Sequence, residues 1–223
     1  MIDMGELCVL RKLVHYVWFA PMKLNLMMKT IVFDLAGVVF ARNVERCPQE
    51  LMEYFAFINS GEPLPSFWND YDRGTRTLEN VAEHLAVYRG SDYETAKHNM
   101  QQAILYQEEV APTKRLIADL KAAGYQLIVL SNMSLEYIEY LRRKEVYSYF
   151  DGEVVSCDTH TIKPEREIYE TLLTRYALDP AETMFIDDRL ENVEQAATLG
   201  IVPFHFDRLA PEQSCAELRQ MLL

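Results

Sequence analysis

The sequence is poor in cysteine and lacks the spacings at which cysteine carries chemistry. Its 223 residues include four cysteines, Cys8, Cys47, Cys157 and Cys215, and no two of them form a C-x-x-C pair or a zinc-ligand pattern. Scattered thiols of this kind do not fit the disulfide framework of a small secreted domain. We therefore expect reduced cysteines, no zinc site and a cytoplasmic location.

Basic charge is also scarce. The chain has 22 lysines and arginines against 34 aspartates and glutamates, which gives a formal net charge of -12. Nucleic-acid phosphates are held by clustered lysines and arginines, and no dense basic stretch is present. We expect no nucleic-acid partner, and a phosphorylated substrate would need a metal ion or a few placed cations to offset its charge.

No hydrophobic run is long enough to cross a bilayer. Residues 9–20 are moderately apolar but are interrupted by Arg11, Lys12 and His15, whereas a spanning helix needs about 20 consecutive apolar residues. The segment also lacks the order of regions found in a secretory signal. We expect no membrane partner and assign residues 1–27 to an N-terminal extension without an assigned role.

What is present is a regular alternation of strand and helix patterns. Strand patterns occupy residues 30–33, 126–130, 153–155, 183–186 and 201–204. Helical patterns between the later strands open at Pro112 and Pro164 and cover residues 135–144 and 191–199. This alternation predicts an α/β fold with a doubly wound, mainly parallel sheet and helices on both faces. We assign residues 28–43 and 111–223 to this core.

The segment after the first strand has a different character. From about residue 43 to residue 110 apolar side chains recur at helical spacing, and no strand signal returns before residue 120. A polar turn, Asp72-Arg73-Gly74-Thr75, interrupts the helices. We predict a small helical cap over residues 44–110, inserted into the core.

Polar residues stand at or just after the carboxyl ends of several predicted strands. They are Asp34, the pair Ser131-Asn132, Lys163 ahead of Pro164, and the pair Asp187-Asp188. In a doubly wound sheet these strand ends meet at one crevice, where ligands bind. Residues far apart in sequence are therefore expected to lie together there.

Each residue type has a role in phosphoryl transfer. Asp34 can attack phosphorus and bind a divalent cation, and Asp187 offers a second hard oxygen ligand for Mg²⁺. Ser131 and the backbone N–H of Asn132 can donate to phosphate oxygens, while Lys163 supplies a point charge. Such a site favours Mg²⁺ as cofactor and a small phosphorylated metabolite as partner.

Each of these residues also has an ordinary structural interpretation. Asp34 could cap a helix or turn, and Ser131-Asn132 could cap the following helix. Lys163 could be a solvated surface lysine. Asp188 could support the metal site from outside, orient Lys163, or complement a helix dipole.

Four ordered segments resemble the motifs of the haloacid dehalogenase-like hydrolases. They are residues 33–39, residues 130–132, residues 162–165 with Ile168 and Tyr169, and residues 185–188 with Asn192 and Ala196. The resemblance runs from Met28 to about Phe206. It implies a Rossmann-like core with a cap that selects the substrate. In the segment assigned to the cap, the turn at residues 72–75 followed by Leu78-Glu79 resembles a turn and helix start common in such caps.

The resemblance also implies site roles. The family forms an aspartyl-phosphate on the residue matching Asp34, with Lys163 beside it. Ser131, Asn132 and Lys163 would hold the phosphoryl group. Asp34, Asp187 and the backbone carbonyl of Ala36 would bind Mg²⁺, with Asp188 and Asn192 as secondary residues.

Ala36 departs from the family pattern. Most phosphatases of the family carry a second aspartate at this position, where it protonates the leaving group and later activates water. A methyl group can do neither, and loss of a general acid/base costs roughly 10² to 10⁴ in rate. The carbonyl ligand is unaffected, because alanine retains it.

Three interpretations of this departure stay open. We favour a phosphatase resembling those that act on sugar 1-phosphates, whose leaving group is less basic and needs less protonation. A catalytically impaired scaffold or regulatory protein is the second. A 2-haloacid dehalogenase is the third, with Arg42 and Arg46 available for a substrate carboxylate. The sequence does not determine the oligomeric state or the particular substrate.

Overall fold

A parallel five-stranded sheet forms the centre of the protein. A computed structural model describes residues 28–223, so the predicted N-terminal extension and Cys8 lie outside the described residues. The strands are β1 (Thr30–Phe33), β2 (Phe40–Arg42), β3 (Gln107–Glu109), β4 (Gln126–Ser131), β5 (Gly152–Val155), β6 (Thr183–Asp187) and β7 (Val202–His205). The main sheet has the order β5-β4-β1-β6-β7, and all its neighbouring strands are parallel.

Helices cover both faces of this sheet and build the inserted segment. They are α1 (Gln49–Tyr54), α2 (Ser66–Asp72), α3 (Leu78–Arg89), α4 (Tyr93–Leu105), α5 (Ala111–Ala122), α6 (Leu135–Leu141), α7 (Ser156–Thr159), α8 (Arg166–Arg175), α9 (Leu190–Thr198) and α10 (Pro211–Leu222). Single 3₁₀ segments lie at Ala56–Asn59, Glu145–Tyr149 and Pro180–Glu182. The predicted doubly wound α/β fold with a helical insertion is confirmed.

The two faces of the sheet bury separate hydrophobic clusters. Along β1, Ile31 and Phe33 belong to the larger cluster, which includes Leu116 of α5, whereas Val32 belongs to the smaller one, which includes Ile168 of α8. Successive strand residues point to opposite faces, so an apolar run such as β1 is needed where both faces are covered. The central position of β1 in the sheet explains why its sequence is a continuous apolar run.

The helices of the insertion begin and end at residues that suit those positions. Thr77 accepts a hydrogen bond from the backbone N–H of Asn80 and caps α3, and Asp92 caps α4 through the N–H of Thr95. Gly90 ends α3 in the left-handed conformation. An aromatic cluster that includes Trp68 packs inside.

The prediction that no strand returns before residue 120 was wrong. Strands β2 and β3 pair antiparallel where the chain enters and leaves the insertion, with Phe40 opposite Glu109. Strand β3, Gln107-Glu108-Glu109, lacks the apolar alternation by which a strand is recognised in a sequence. It is not buried in a sheet core and is held by its pairing with β2. The domain limits drawn from the sequence stay a prediction.

The helix expected to open at Pro164 begins at Arg166 instead. The peptide bond between Lys163 and Pro164 is cis, and the backbone N–H of Glu165 donates to the carbonyl of Ile162 at 2.8 Å. Residues 162–165 therefore form a turn, and the helix starts only after it.

Across residues 28–223 no helix combines the length and the apolar character that crossing a bilayer requires.

We expect the close approach of the insertion to the core at Gly74 to be sensitive to a single methyl group. Gly74 has φ +71° and a Cβ there would lie 2.7 Å from the carbonyl oxygen of Cys157, whereas Gly90 has φ +65° and no atom within 4 Å of such a Cβ. Both alanine variants strain the backbone, but only Gly74→Ala also forces a clash. Urea unfolding should show Gly74→Ala losing about 1–3 kcal/mol more than Gly90→Ala. Equal losses would contradict the tight contact.

Candidate active site

Asp34 lies at the carboxyl end of the central strand. It follows Phe33, and its backbone N–H donates to the carbonyl of Ile186 at 2.9 Å, which ties it to β6. The Asp34 side chain is buried. A carboxylate at this depth needs partners, and Ser131 at the end of β4 and Lys163 in a loop provide them.

Lys163 joins the ends of three strands through one ammonium group. Its Nζ lies 2.8 Å from Asp34 Oδ1 and 2.6 Å from Asp187 Oδ2, and it donates to the carbonyl of Leu130 at 2.9 Å. The side chain of Lys163 is only 1% exposed, so it is not a solvated surface lysine. Residues predicted from three separate motifs are thus brought into direct contact.

Burial and charge oppose each other at this cluster. Burial raises the pKa of Asp34, Lys163 lowers it and Asp187 raises it again, with a raised pKa as the result. Burial disfavours the charged form of Lys163, but Asp187 and Asp34 outweigh it and raise its pKa. One ammonium does not fully balance the carboxylates that surround it.

The two residues after Leu130 have different tasks. Ser131 is fully buried, and its hydroxyl donates to Asp34 Oδ1 at 2.8 Å. The side-chain oxygen of Asn132 accepts from the backbone N–H of Lys163 at 2.7 Å, and its side-chain nitrogen donates to the Lys163 carbonyl at 2.9 Å. The Asn132 amide therefore fixes the loop that presents Lys163, and its role in holding substrate through the backbone N–H stays a prediction.

Asp187 is held from the opposite side. Asn192 donates to both carboxylate oxygens of Asp187 at 3.0 Å, and the backbone N–H of Arg189 donates to Oδ1 at 2.8 Å. Asn192 lies in the first turn of α9, so its hydrogen bonds to Asp187 join the start of this helix to the end of β6. The orientation of Asp187 is fixed before any ligand binds.

Three carboxylates gather where a cation could be held. Asp34, Asp187 and Asp188 each offer an oxygen, and these oxygens lie within 4.8 Å of one another. Burial, with Asp34 and Asp187, raises the pKa of Asp188 to about 7. Crowded hard oxygens that repel one another suit Mg²⁺, so the described residues fit that ion.

The turn after the nucleophile candidate packs tightly against this group. Gly37 has φ +84°, and a Cβ there would lie 2.6 Å from Asp188 Oδ2. Ala36 lies in the same turn with its side chain exposed, and its backbone bridges to Phe40. The use of the Ala36 carbonyl as a metal ligand stays a prediction.

Two further charged residues interact across the boundary between core and cap. Arg189 donates from its guanidinium to the carbonyl of Ile58 in the insertion at 3.3 Å, so it bridges core and cap. Asp72, the last residue of α2, interacts electrostatically with Asp34 and Arg189. The sequence singled out the turn that Asp72 begins but gave its carboxylate no role, and only the fold of the insertion brings it within electrostatic range of Asp34.

The arginines considered for a dehalogenase do not both converge on the site. Arg46 is exposed and pairs with Glu108 at 2.5 Å beside β3. The Arg42 guanidinium lies 5.3 Å from the centre of the Phe55 ring. A pair of arginines holding one substrate carboxylate is therefore not formed.

Comparison with known proteins assigns the family. Residues 28–200 match the model of the haloacid dehalogenase-like hydrolases, and the chain belongs to this family. The resemblance inferred from the four motifs is confirmed.

Relatives with named activities include phosphatases. The chain is 29% identical over 197 residues to the sesquiterpene phosphatase astK of Aspergillus oryzae, covering 87% of this chain and 96% of that protein. It is 27% identical over 107 residues to the glyceraldehyde 3-phosphate phosphatase of Methanocaldococcus jannaschii, covering 47% of this chain and 46% of that one. A family enzyme from Bacteroides thetaiotaomicron, solved with magnesium and inorganic phosphate, shares the fold with a TM-score of 0.63 at 23% identity, covering 81% of this chain and 95% of that one.

We expect Lys163 to be a large contributor to stability. In Lys163→Met the carboxylates of Asp34 and Asp187 lose their shared cation while still buried, which should cost about 3–5 kcal/mol in urea unfolding without divalent ions. Lys114→Met is the control, because Lys114 pairs with Glu109 and Glu145 near the surface and should cost much less. Similar losses for the two variants would contradict the buried cluster.

Proposed function

We propose that the protein is a Mg²⁺-dependent phosphomonoester hydrolase that acts on a small phosphorylated metabolite through an aspartyl-phosphate intermediate on Asp34. The observation that carries this proposal is the contact of Asp34 with Lys163 and Ser131. Both partners engage Oδ1. This leaves Oδ2 of a fixed, buried carboxylate to attack phosphorus.

The neighbouring residues suit a transferring phosphoryl group. Lys163 and Ser131 stand beside the attacking carboxylate, where they can orient phosphate oxygens together with the backbone N–H of Asn132. Asp34, Asp187 and the Ala36 carbonyl would hold Mg²⁺, with Asp188 and Asn192 supporting them. When bound, the ion would supply positive charge to the phosphate oxygens.

A sugar phosphate is the substrate that we expect. A sugar 1-phosphate has a less basic leaving group, which is compatible with alanine at position 36. The named relatives, a sesquiterpene phosphatase and a glyceraldehyde 3-phosphate phosphatase, support phosphatase activity on small phosphorylated compounds, although their names indicate different substrates. The substrate class is therefore tested by a panel that contains all three kinds.

We expect Asp34→Asn to abolish phosphate release, because an amide is too weak a nucleophile to form the acyl-phosphate. The assay uses Mg²⁺ with a hexose 1-phosphate, glyceraldehyde 3-phosphate, a sesquiterpenyl phosphate and 4-nitrophenyl phosphate. Asp119→Asn, which changes a surface carboxylate paired with Arg219, should keep wild-type activity.

Three outcomes would contradict the proposal. Phosphate release that survives Asp34→Asn would remove Asp34 as nucleophile. Halide release from 2-haloacids without phosphatase activity would establish the dehalogenase. Absence of any turnover by the folded, Mg²⁺-loaded wild type would favour the scaffold.

We also expect Mg²⁺ to stabilise the protein through Asp187. A ligand at 100 times its Kd adds about 2.7 kcal/mol to stability, which should appear as a rise in Tm on adding Mg²⁺. Asp187→Asn removes an anionic ligand and should lose most of this rise, whereas Asp119→Asn should keep it. A rise of equal size in Asp187→Asn would place the ion elsewhere.

A further inference from the structure

Residues 71–74 form the end of α2 and the turn after it, and each of them contacts the core. The Tyr71 hydroxyl donates to Glu136 Oε2 of α6 at 2.9 Å, and the carbonyl of Asp72 accepts from the Ser156 hydroxyl of α7. The other two residues contact α7 and the polypeptide between α7 and α8, which contains the lysine of the candidate site. This stretch of the cap is therefore a docking point on the core.

Arg73 holds both ends of the loop that presents Lys163, residues 160–165. Its guanidinium donates to the two carboxylate oxygens of Glu165 at 2.6 and 2.8 Å and to the carbonyl of His160 at 3.1 Å. The Nδ1 atom of His160 in turn lies 3.0 Å from the carbonyl oxygen of Arg73. Since Lys163 lies between residues 160 and 165, the arginine is bound to the loop before and after the lysine.

Glu165 also makes hydrogen bonds inside this loop. Its Oε2 accepts from the backbone N–H of Ile162 at 3.1 Å, and its own backbone N–H donates to the carbonyl of Ile162 at 2.8 Å. The same Oε2 accepts from Arg73. Because Ile162 directly precedes Lys163, this carboxylate connects the arginine of the cap to the residue next to the lysine.

The core holds Lys163 from the other direction. The Asn132 side chain pairs with both backbone groups of Lys163, at 2.7 and 2.9 Å. The ammonium lies 2.8 Å from an oxygen of Asp34 and 2.6 Å from an oxygen of Asp187. A misplacement of about 1 Å can cost roughly 10²-fold in rate, so small shifts of loop 160–165 would affect the reacting groups.

The type of side chain at position 73 suits the task of holding this loop. A guanidinium is planar and presents its N–H donors in a fixed arrangement, so pairing with a carboxylate through two hydrogen bonds fixes orientation as well as distance. The side chain of Arg73 is 25% exposed and that of Glu165 is 38% exposed, and ion pairs open to water add little to stability. The contact therefore matters more for geometry than for the free energy of unfolding.

We propose that Arg73 of the cap is a positioning residue for Lys163. Acting through Glu165, it holds loop 160–165 in the place where the ammonium meets the two buried carboxylates. The effect of Arg73 on rate rests on the proposed phosphatase function. The positioning itself belongs to the protein without metal or substrate, so it can be tested separately.

The kinetic test compares Arg73→Gln with the wild type in the presence of Mg²⁺. Lys163 acts on the phosphoryl group, which all phosphomonoesters share, so kcat/KM should fall about 10- to 10²-fold, by a similar factor for 4-nitrophenyl phosphate and for each alkyl phosphate that the wild type hydrolyses. Arg73→Lys keeps the charge but not the paired donors, and should recover part of the loss. An unchanged kcat/KM, or losses that differ widely between leaving groups, would overturn the proposal.

Arg76→Gln is the matched control. Arg76 lies three positions after Arg73, and its guanidinium contacts Asp70, Asn80 and His84, which all belong to the cap. This variant should therefore keep the kcat/KM of the wild type. A loss as large as that of Arg73→Gln would show that the effect is not specific to the contact with loop 160–165, and the proposal would fail.

Glu165→Gln tests whether Arg73 acts through Glu165. If it does, the double variant with Arg73→Gln and Glu165→Gln should lose no more activity than the more impaired single variant. Losses that multiply in the double variant would show two independent effects and would overturn this part of the proposal. Tm values check that each variant is folded at the assay temperature.

A second test uses neither metal nor substrate. Urea unfolding without divalent ions gives the shift in midpoint that Arg73→Gln causes in the wild type and in Lys163→Met. If Arg73 positions the ammonium, the shift should be smaller in Lys163→Met, which has no ammonium to position. Arg76→Gln should shift the midpoint equally in both proteins. Equal shifts for Arg73→Gln would mean that it joins cap to core without acting on the lysine.

The failures of the two proposals are distinguishable. If Asp34→Asn is inactive while Arg73→Gln keeps the kcat/KM of the wild type, only the positioning role fails. If Asp34→Asn still releases phosphate, the aspartyl-phosphate function fails, and the urea comparison still decides whether Arg73 positions Lys163.

Discussion

The contact of the Lys163 ammonium with Asp34 and Asp187 is the interaction on which the site depends. These charges are almost fully removed from water, so the two carboxylates tolerate each other only because a cation lies between them. The ammonium also donates to the Leu130 carbonyl, which ties the same group to β4. The site thus links the ends of the three central strands β4, β1 and β6.

The strand order explains why this meeting point exists. In the order β5-β4-β1-β6-β7 the strand that Asp34 follows lies between the strands that end in Ser131 and Asp187. Parallel pairing brings their carboxyl ends to one edge of the sheet. Lys163 is the exception, because it comes from a loop, and the Asn132 amide holds that loop in place through both backbone groups of Lys163.

The inserted segment is joined to this edge through specific polar contacts. Arg73 binds Glu165 close to Lys163, and Arg189 reaches from the core to the carbonyl of Ile58. The loops that build the site therefore also hold the cap.

Sequence patterns predicted the parts of the structure that depend on burial over several residues. The strand at β1 and the helix packed through Leu116 were recognisable because both are apolar at the right period. The pairing of β2 with β3 was not, because Gln107-Glu108-Glu109 owes its extended shape to its partner and not to its own composition. The start of α8 at Arg166 was missed for a similar reason, since the turn before it is closed by hydrogen bonds that only the loop geometry forms.

The sequence by itself determined the fold class and the ordered set of polar residues at the strand ends, because each follows from local composition and spacing. The family was recognised from the resemblance of four motifs. Only the tertiary structure decided that Lys163 bridges Asp34 and Asp187, since this depends on distances between separate segments. It also decided that Asp72 of the insertion interacts electrostatically with Asp34, which lies 38 positions earlier in the sequence (72 minus 34). A side chain acquires such a neighbour through the packing of whole elements, and no local pattern encodes it.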